Sequence, residues 1–410
     1  MTTSFDLFEV FGIELEYMIV DRDSLNVLPI CDQILAAVND GSVDNEAVVP
    51  PLRWSNELVM HVIELKTDDP ARAIMPMAAV FQKQVAQVNR LLEPHNGCLL
   101  PGAMHPWMHP DRETRLWPHG NREIYQAFNA IFDCRGHGWS NLQSAHLNLP
   151  FQGEEAFFAL HSAIRLILPL LPALSAASPI MNGKVTGMLD SRLDVYRSNC
   201  RRIPSITAGV VPEAVYSISE YHDKILARIY RDISPLDEDG ILQEEWLNAR
   251  GAIARFERDT IEIRVLDVQE CPLADHAIHE AIATVLRYLT DQCDPKALAA
   301  ASQHALEHQL RETTVKAGGA ILEESTLPGL LGLVETPGQT VGQFWQALLQ
   351  HEALSSMDPA ARPVIETLLR EGTLAERLLK ATGNQPDSTR LHTVWGQLAA
   401  CLAEGRLFLP

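Results

Sequence analysis

The sequence lacks the glycine-rich loops that most often reveal a nucleotide-binding protein. Neither G-x-x-x-x-G-K-[ST] nor G-x-G-x-x-G occurs, so any bound ATP would not rest on a P-loop or a Rossmann turn. The G-x-S-x-G elbow of serine hydrolases and the ligand spacings of zinc sites are also missing. Function must therefore be sought in other residue types.

Long apolar runs and paired cysteines are scarce as well. The best apolar stretch, Leu166 to Ala177, is too short to span a bilayer and is broken by Pro169 and Pro172. Residues 1–6 lack the basic and apolar regions of a signal peptide. The 7 cysteines include no C-x-x-C pair, and their odd number suits reduced thiols. We expect a cytoplasmic protein without a membrane partner.

Basic residues are outnumbered, with 33 Lys and Arg against 53 Asp and Glu, for a formal charge of −20. This balance argues against nonspecific binding to nucleic acid or to an anionic membrane, because both need basic patches. The 410 residues, of which 46% are hydrophobic, are typical of a soluble globular protein with a large core. An anionic small substrate would need local cations in such a chain.

Apolar and polar residues alternate in three acidic segments, as in strands with one face in a core. Side chains alternate in direction along a strand, so Glu14 and Glu16 share a face, as do Glu262 and Arg264. The third acidic segment runs from Glu57 to Glu64. A sheet that gathers these carboxylates would repel itself unless cations lay between them.

Several of the predicted strands are followed along the chain by segments whose apolar residues have helical spacing. The sequence predicts a helix from about Ile74 to Leu92, a loop-rich region over 97–138, and a strand at Ser144–Pro150. The proline-rich part of the loop region, around His105, is expected at the substrate mouth. Residues 250–267 read as a hairpin, and from about 295 onward only helical patterns remain. We predict a catalytic domain at 1–294 and a helical C-terminal extension at 295–410, packed on it, with a structural or oligomeric role.

Taken singly, each acidic pair is explained as well by a solvated strand face, and His146 by an ordinary core or surface histidine. Their order along the chain is more informative: G-I-E-L-E, E-L-V-M-H-V-I-E, Q-S-A-H-L-N and T-I-E-I-R-V-L-D. This order, over about Phe8 to Thr290, resembles glutamate-cysteine ligase family 2, which includes the carboxylate-amine ligases. The resemblance implies an α+β fold with a curved, mainly antiparallel glutamine synthetase-like sheet, flanking helices and a helical C-terminal region.

The resemblance also implies ATP and Mg²⁺ as cofactors and assigns roles to individual residues. Arg264, beside Glu262, would grip the γ-phosphate as it transfers, because its guanidinium offers a fixed fork of donors. Oxygen-rich ligand sets suit Mg²⁺ bridged to substrate phosphates. The metal ligands implied by the family motifs are Glu14, Glu16, Glu57, Glu64, His146 and Glu262.

Glu57 fits this set poorly if the second acidic segment is one straight strand. It lies seven positions before Glu64, so the two side chains would face opposite sides. A bulge, or a break between two elements, would bring both inward.

The strongest local basic cluster lies in residues 182–202. Within it, Arg192 or Arg197 could clamp a substrate carboxylate in bidentate fashion, although a solvated basic loop explains either arginine equally well. The implied reaction is ATP-dependent formation of an amide, γ-glutamyl in the family pattern, through an acyl phosphate. Its partners are a small amino acid and an amine. Two alternatives remain open at this point: a two-metal phosphoester hydrolase, and a nonenzymatic protein that binds a nucleotide or an amino acid.

Overall fold

An eight-stranded sheet forms the centre of the computed structural model, which describes residues 4–334 and 336–410. The strands are β1 (Gly12–Asp21), β2 (Glu46–Val49), β3 (Leu52–Asn56), β4 (Val62–Thr67), β5 (Gly97–Leu100), β6 (Ser144–Pro150), β7 (Ile180–Met181), β8 (Lys184–Val185), β9 (Ala252–Arg255) and β10 (Thr260–Asp267). The order in the large sheet is β2-β3-β4-β1-β6-β10-β9, and β5 pairs with β1 on the side opposite β4, beyond the part of β1 that pairs with β6. All neighbouring strands in this sheet are antiparallel, and β7 and β8 form a separate two-stranded sheet.

Helices cover the apolar face of the sheet. Ile13, Leu15 and Tyr17 on β1 are fully buried in one core, which also holds Phe81 of the helix Met75–Leu92 (α2) and Ile282 of the helix Pro272–Gln292 (α11). The helices are α1 (Cys31–Val38), α2 (Met75–Leu92), α3 (Pro110–Glu113), α4 (Arg122–Phe132), α5 (His137–Ser140), α6 (Gly153–Ile167), α7 (Pro172–Ser175), α8 (Ser191–Ser198), α9 (Ile218–Tyr221), α10 (Ala227–Ile233), α11 (Pro272–Gln292), α12 (Pro295–Ala299), α13 (Gln303–Lys316), α14 (Thr326–Leu330), α15 (Val341–Leu348), α16 (Arg362–Glu371), α17 (Leu374–Thr382) and α18 (Ser388–Glu404).

The described residues after α11 form helices and loops that pack on the sheet and its helices. Trp345 of α15 donates its indole N–H to the Leu170 carbonyl at 3.1 Å. Arg377 of α17 is buried, donates to Glu270 at 2.5 Å and also bonds the Phe408 carbonyl. A buried arginine needs such partners because an unpaired buried charge is costly. The buried apolar residues of α15 and α18 pack in the hydrophobic cores.

The predicted fold class is confirmed: a mainly antiparallel sheet, flanking helices and a helical C-terminal region. The hairpin predicted over 250–267 is β9 and β10, which turn at Arg258 and Asp259. The expectation for residues 97–138 was incomplete, because this region contains β5 and the amphipathic helix α4. No helix among the described residues is long and apolar enough to cross a membrane.

A buried histidine in α6 makes stability depend on pH. Both ring nitrogens of His161 lack hydrogen-bond partners among the described residues, and burial, with Arg165 and Arg250 nearby, lowers its pKa from 6.5 to about 3. The neutral ring therefore stabilises the fold fully above pH 6.5, and this contribution falls as the pH falls toward 3. At pH 5 the loss is about 2 kcal/mol.

We expect His161→Leu to gain about 2 kcal/mol of unfolding free energy relative to the parent protein between pH 8 and pH 5. Urea titrations of both proteins at the two pH values measure this difference. Any packing offset cancels because only the change with pH is compared. His304→Leu, on the exposed side of α13, is the control and should show no such change. An equal offset at both pH values for His161→Leu would contradict the prediction.

Candidate metal and phosphoryl-transfer site

Polar side chains from five strands meet on the face of the sheet opposite α2 and α11. Register aligns them in rows, because residues paired across antiparallel strands point the same way. One row runs from Ser55 on β3 through Glu64 and Glu16 to Ser144 on β6, whose N–H donates to Glu16, and on to Asp267 on β10. Pairing between the strands thus places residues that are distant in sequence side by side.

A second row lies beside the first and carries the histidine. Lys66 on β4 pairs with Glu14 on β1, which pairs with His146 on β6. The Glu14 carboxylate and His146 Nδ1 are 3.0 Å apart. Asn148, two residues beyond His146, donates to Glu14 at 3.1 Å and is paired with Glu262. Glu14 is therefore held from two sides in a fixed position.

A one-residue irregularity in β10 completes the polar face. Ile263 pairs with Leu147 and Leu266 with Ala145, so β10 uses one more residue than β6 between these two pairs. An extra residue of this kind reverses the alternation of the strand. Glu262 and Asp267 would face opposite sides in a straight strand, yet both belong to the polar face here.

Glu57 reaches the same face because the second acidic segment is broken. β3 ends at Asn56 and β4 begins at Val62, so Glu57 lies in the link and not in the strand that carries Glu64. Glu57 lies two positions after Ser55, so its side chain points to the same face as that of Ser55, whose hydroxyl donates to Glu64 at 2.6 Å. The break between two elements resolves the parity conflict that the sequence presented.

Five of the predicted ligands form two overlapping groups, in each of which the ligand atoms lie within 4.8 Å of one another: Glu14, Glu64 and His146, and then Glu16, Glu57 and Glu64. Glu64 belongs to both. Carboxylate oxygens with one imidazole are a donor set that suits Mg²⁺ bridged to phosphates. The sixth predicted ligand, Glu262, stands one strand away, opposite Asn148.

Electrostatic repulsion between the clustered carboxylates changes their pKa values. Burial and the neighbouring acids raise the pKa of Glu57 well above its usual range; burial and Glu64 raise that of Glu16. Burial would also raise the pKa of Glu64, but Lys66 at 3.0 Å, the Ser55 hydroxyl and His146 lower it to about 2. A divalent cation between these groups would remove the repulsion.

His146 is held as a cation by its surroundings. Burial opposes its protonation, but the bond to Glu14 and the charges of Glu262 and Glu16 raise its pKa to about 9. The Ser144 hydroxyl lies 2.9 Å from Nε2. A bound cation would compete with this proton for the ring, since only a neutral imidazole coordinates metal.

Arg264 lies beside Glu262 as the sequence predicts. Its Nε is 2.9 Å from the Glu262 carboxylate, and Arg255 approaches the other oxygen at 3.3 Å. Burial would raise the pKa of Glu262, yet these two arginines and His146 hold it below its usual value. Arg264 is thus kept charged at the edge of the carboxylate groups.

The structure separates the two arginines predicted to bind substrate. Arg192 is buried and donates through Nε to Asp267 at 2.5 Å; the same carboxylate accepts from Ala177 N and the Ser178 hydroxyl, each at 2.8 Å. Arg197 instead forms an exposed ion pair with Asp194 at 2.9 Å and lines a different cavity. The geometry keeps Arg192 as the candidate and leaves Arg197 away from the carboxylates.

Asp267 is a residue that sequence reasoning missed. It is the last residue of the motif T-I-E-I-R-V-L-D, but its straight-strand parity points to the core. Its place beside Arg192 in the fold reveals its role. The motif T-I-E-I-R-V-L-D could have indicated this residue, because it ends in an acid that would need a basic partner if it lay next to a site.

A cavity of about 430 Å³ opens on this face. One side carries Glu16, Glu57, His146, Arg192 and Arg264. The other side is aromatic, and α4 contributes Tyr125 and Phe128 to it. The loop around His105, which was expected at the substrate mouth, is not this wall, since His105 is fully buried and bonds the Leu25 carbonyl at 2.7 Å.

Comparisons with known proteins agree over nearly the whole chain. The model of the glutamate-cysteine ligase family 2 (GCS2) matches residues 10–393, which extends the resemblance beyond Thr290 into the C-terminal helices. An uncharacterized protein of Archaeoglobus fulgidus is 31% identical over 402 residues, covering 98% of this chain and 100% of that protein. The protein named "Putative glutamate--cysteine ligase 2" of Ruegeria pomeroyi is 26% identical over 270 residues, covering 65% of this chain.

The chain spans 62% of the length of the Ruegeria pomeroyi relative. Among solved structures, a bifunctional glutathione synthetase from Pasteurella multocida aligns with a TM-score of 0.64 at 14% identity, covering 97% of this chain and 53% of that one. A glutamate–cysteine ligase from Francisella tularensis in complex with AMP aligns with a TM-score of 0.61 at 13% identity, covering 98% and 90%. These alignments show a shared fold.

Proposed function

Because the chain belongs to glutamate-cysteine ligase family 2, we propose that it is an ATP-dependent carboxylate-amine ligase that forms an amide, with glutamate as the donor, through an acyl phosphate. The observation that carries this proposal is the meeting of the two overlapping ligand groups with two arginines at one cavity, whose lining includes Glu16, Glu57, His146, Arg192 and Arg264. The alternative of a phosphoester hydrolase gains no specific support from the geometry. A purely binding protein would have no need for so costly a cluster of buried acids.

The carboxylates and His146 would hold Mg²⁺, which when bound neutralises phosphate charge and polarises the transferring group. The two groups of clustered ligands share Glu64, so they suit neighbouring cations. Lys66, which contacts Glu64 at 3.0 Å, keeps that carboxylate ionised and available. Glu262 lies beside these groups and orients Arg264 toward the cavity.

The arginines would position the two reacting partners. Arg264 would stabilise charge on the γ-phosphoryl group as it passes to the donor carboxylate, and Arg192 would hold a carboxylate of the donor. Asp267 fixes Arg192 so that its fork is already oriented before substrate arrives. Such positioning accounts for most of the catalysis in phosphoryl transfer, which needs little covalent help from the protein.

The second half of the reaction joins the amine to the activated carbonyl. The amine nitrogen forms the C–N bond while the C–O bond to phosphate breaks, and phosphate leaves with that electron pair. The nitrogen loses its extra protons to the phosphate and to solvent. The overall products are the amide, ADP, phosphate and one proton.

Hydroxylamine tests the first half without depending on the natural amine, because it is small and traps acyl phosphates as hydroxamates. We expect γ-glutamyl hydroxamate and equimolar ADP from the protein with ATP, Mg²⁺, glutamate and hydroxylamine, measured by mass spectrometry. Omission of glutamate, hydroxylamine or Mg²⁺ should stop ADP formation. Release of phosphate from ATP or a phosphoester without either organic substrate would instead support a hydrolase.

A further inference from the structure

The aromatic side of the cavity lies directly beside the groups that would hold the reacting atoms. Asn56 Nδ2 donates both to the Tyr125 hydroxyl at 3.0 Å and to the Glu57 carbonyl at 2.9 Å. Tyr196 of α8 lines the same cavity as Arg264. The aromatic wall therefore begins within one residue of the proposed metal and phosphoryl groups.

Beyond these tyrosines the wall is a packed set of rings. The Phe128 ring centroid lies 5.3 Å from that of Trp139 and 5.8 Å from that of Trp246. All three residues line the cavity and are only partly buried. Exposed aromatic faces next to a reaction centre offer apolar contact and attraction for a cation.

The same cavity offers little to a substrate carboxylate. Among the described lining residues, the cationic groups are Arg192, Arg264 and His146. Each has an acidic partner: Asp267, Glu262 and Glu14, respectively. On the proposed function the two arginines also serve the donor and the phosphoryl group. A carboxylate on the acceptor would be desolvated without a cation of its own, which is costly.

Resting on the proposed function, we infer that the acceptor is an amine with an aromatic or bulky apolar body and no carboxylate. The protein's charge of −20 favours the approach of such a cation. Adenine is a weaker candidate for this wall, because a ribose and two phosphate groups separate the base from the γ-phosphorus. The acceptor nitrogen, in contrast, bonds to the reacting carbon itself.

Three amines isolate the features that matter, in assays with ATP, Mg²⁺ and glutamate. Phenethylamine differs from phenylalanine by the carboxylate and from ethylamine by the ring. We expect kcat/KM for phenethylamine to exceed that for ethylamine by at least about 10-fold, because ethylamine lacks the apolar contact of the ring. We expect the same margin over phenylalanine and cysteine, because each would bury an unpaired carboxylate. Higher kcat/KM for cysteine or phenylalanine than for phenethylamine would overturn the inference.

Trp246 tests whether the wall holds the amine. We expect Trp246→Ala to lower kcat/KM for phenethylamine relative to that for hydroxylamine about 10-fold, and Trp246→Phe to restore most of the loss. Tyr216→Ala, which removes an exposed ring outside the cavity, should leave both values unchanged. A rise in the KM for ATP, with the amine ratio unchanged, would assign the wall to adenine and overturn the inference. Hydroxamate formation by the unmodified protein separates this failure from failure of the ligase proposal.

Discussion

Replacing Glu64 by Gln is expected to abolish glutamate-dependent ADP formation, with a loss of at least about 100-fold. Glu64 alone belongs to both groups of clustered ligands, so its loss affects each proposed cation. Loss of an outer partner of a metal typically lowers affinity about 10–100-fold, and a direct ligand should matter more. Calorimetric titration with Mn²⁺ in the presence of ATP should show correspondingly weaker binding.

The Glu64→Gln substitution is not expected to unfold the protein, since the new amide can keep the bond to the Ser55 hydroxyl. Loss of the Lys66 ion pair destabilises, but the same change relieves repulsion on Glu16 and Glu57. Glu46→Gln is the matched control, because Glu46 also approaches Lys66, at 3.8 Å, but lies at the sheet edge. Normal Mn²⁺ affinity in a folded Glu64→Gln protein would refute the ligand assignment.

Replacing Arg264 by Lys is expected to lower kcat for hydroxamate formation by about 100- to 1000-fold, the usual effect of losing one preorganised donor to transition-state charge. A lysine keeps the positive charge but offers a single rotating ammonium in place of a planar fork. Mn²⁺ affinity should change little, because Arg264 is not among the clustered ligands. Steady-state kinetics together with the same calorimetric titration separates these two effects.

The control for this variant lies on the same hairpin. Arg258 is exposed at the turn between β9 and β10, so Arg258→Lys should keep the parent kcat. Parent-like kcat in Arg264→Lys would remove Arg264 from the phosphoryl site. Loss of metal binding in Arg264→Lys would instead show that its ion pair with Glu262 supports the metal groups.

Strand alternation predicts much of the polar face from sequence. Glu14, Glu16 and His146 lie in uninterrupted strands, where parity alone gives the direction of each side chain. Which strands are neighbours cannot be read this way. The contact between Glu14 and His146 depends on β1 and β6 pairing across a long stretch of chain, and only the family resemblance suggested it.

Sequence reasoning fails where the chain departs from regular structure. The register shift in β10 moves Asp267 to the polar face, and no local pattern announces that shift. α4 was overlooked because prolines, histidines and tryptophans surround it, although Ile124, Tyr125 and Phe128 have helical spacing. The separation of Arg192 from Arg197 arises because they occupy different turns of α8, one buried and one exposed.

The irregularity in β10, more than the length of the strand, decides where Asp267 points. Deleting Val265 would leave an even number of positions between Glu262 and Asp267, so a regular strand would keep both carboxylates on the polar face, with Asp267 still opposite Ser144. A strand of unchanged length that lost the irregularity would instead turn Asp267 into the apolar layer, and Arg192 would lose its partner. We therefore expect β10 to tolerate the loss of this residue better than the loss of its bulge.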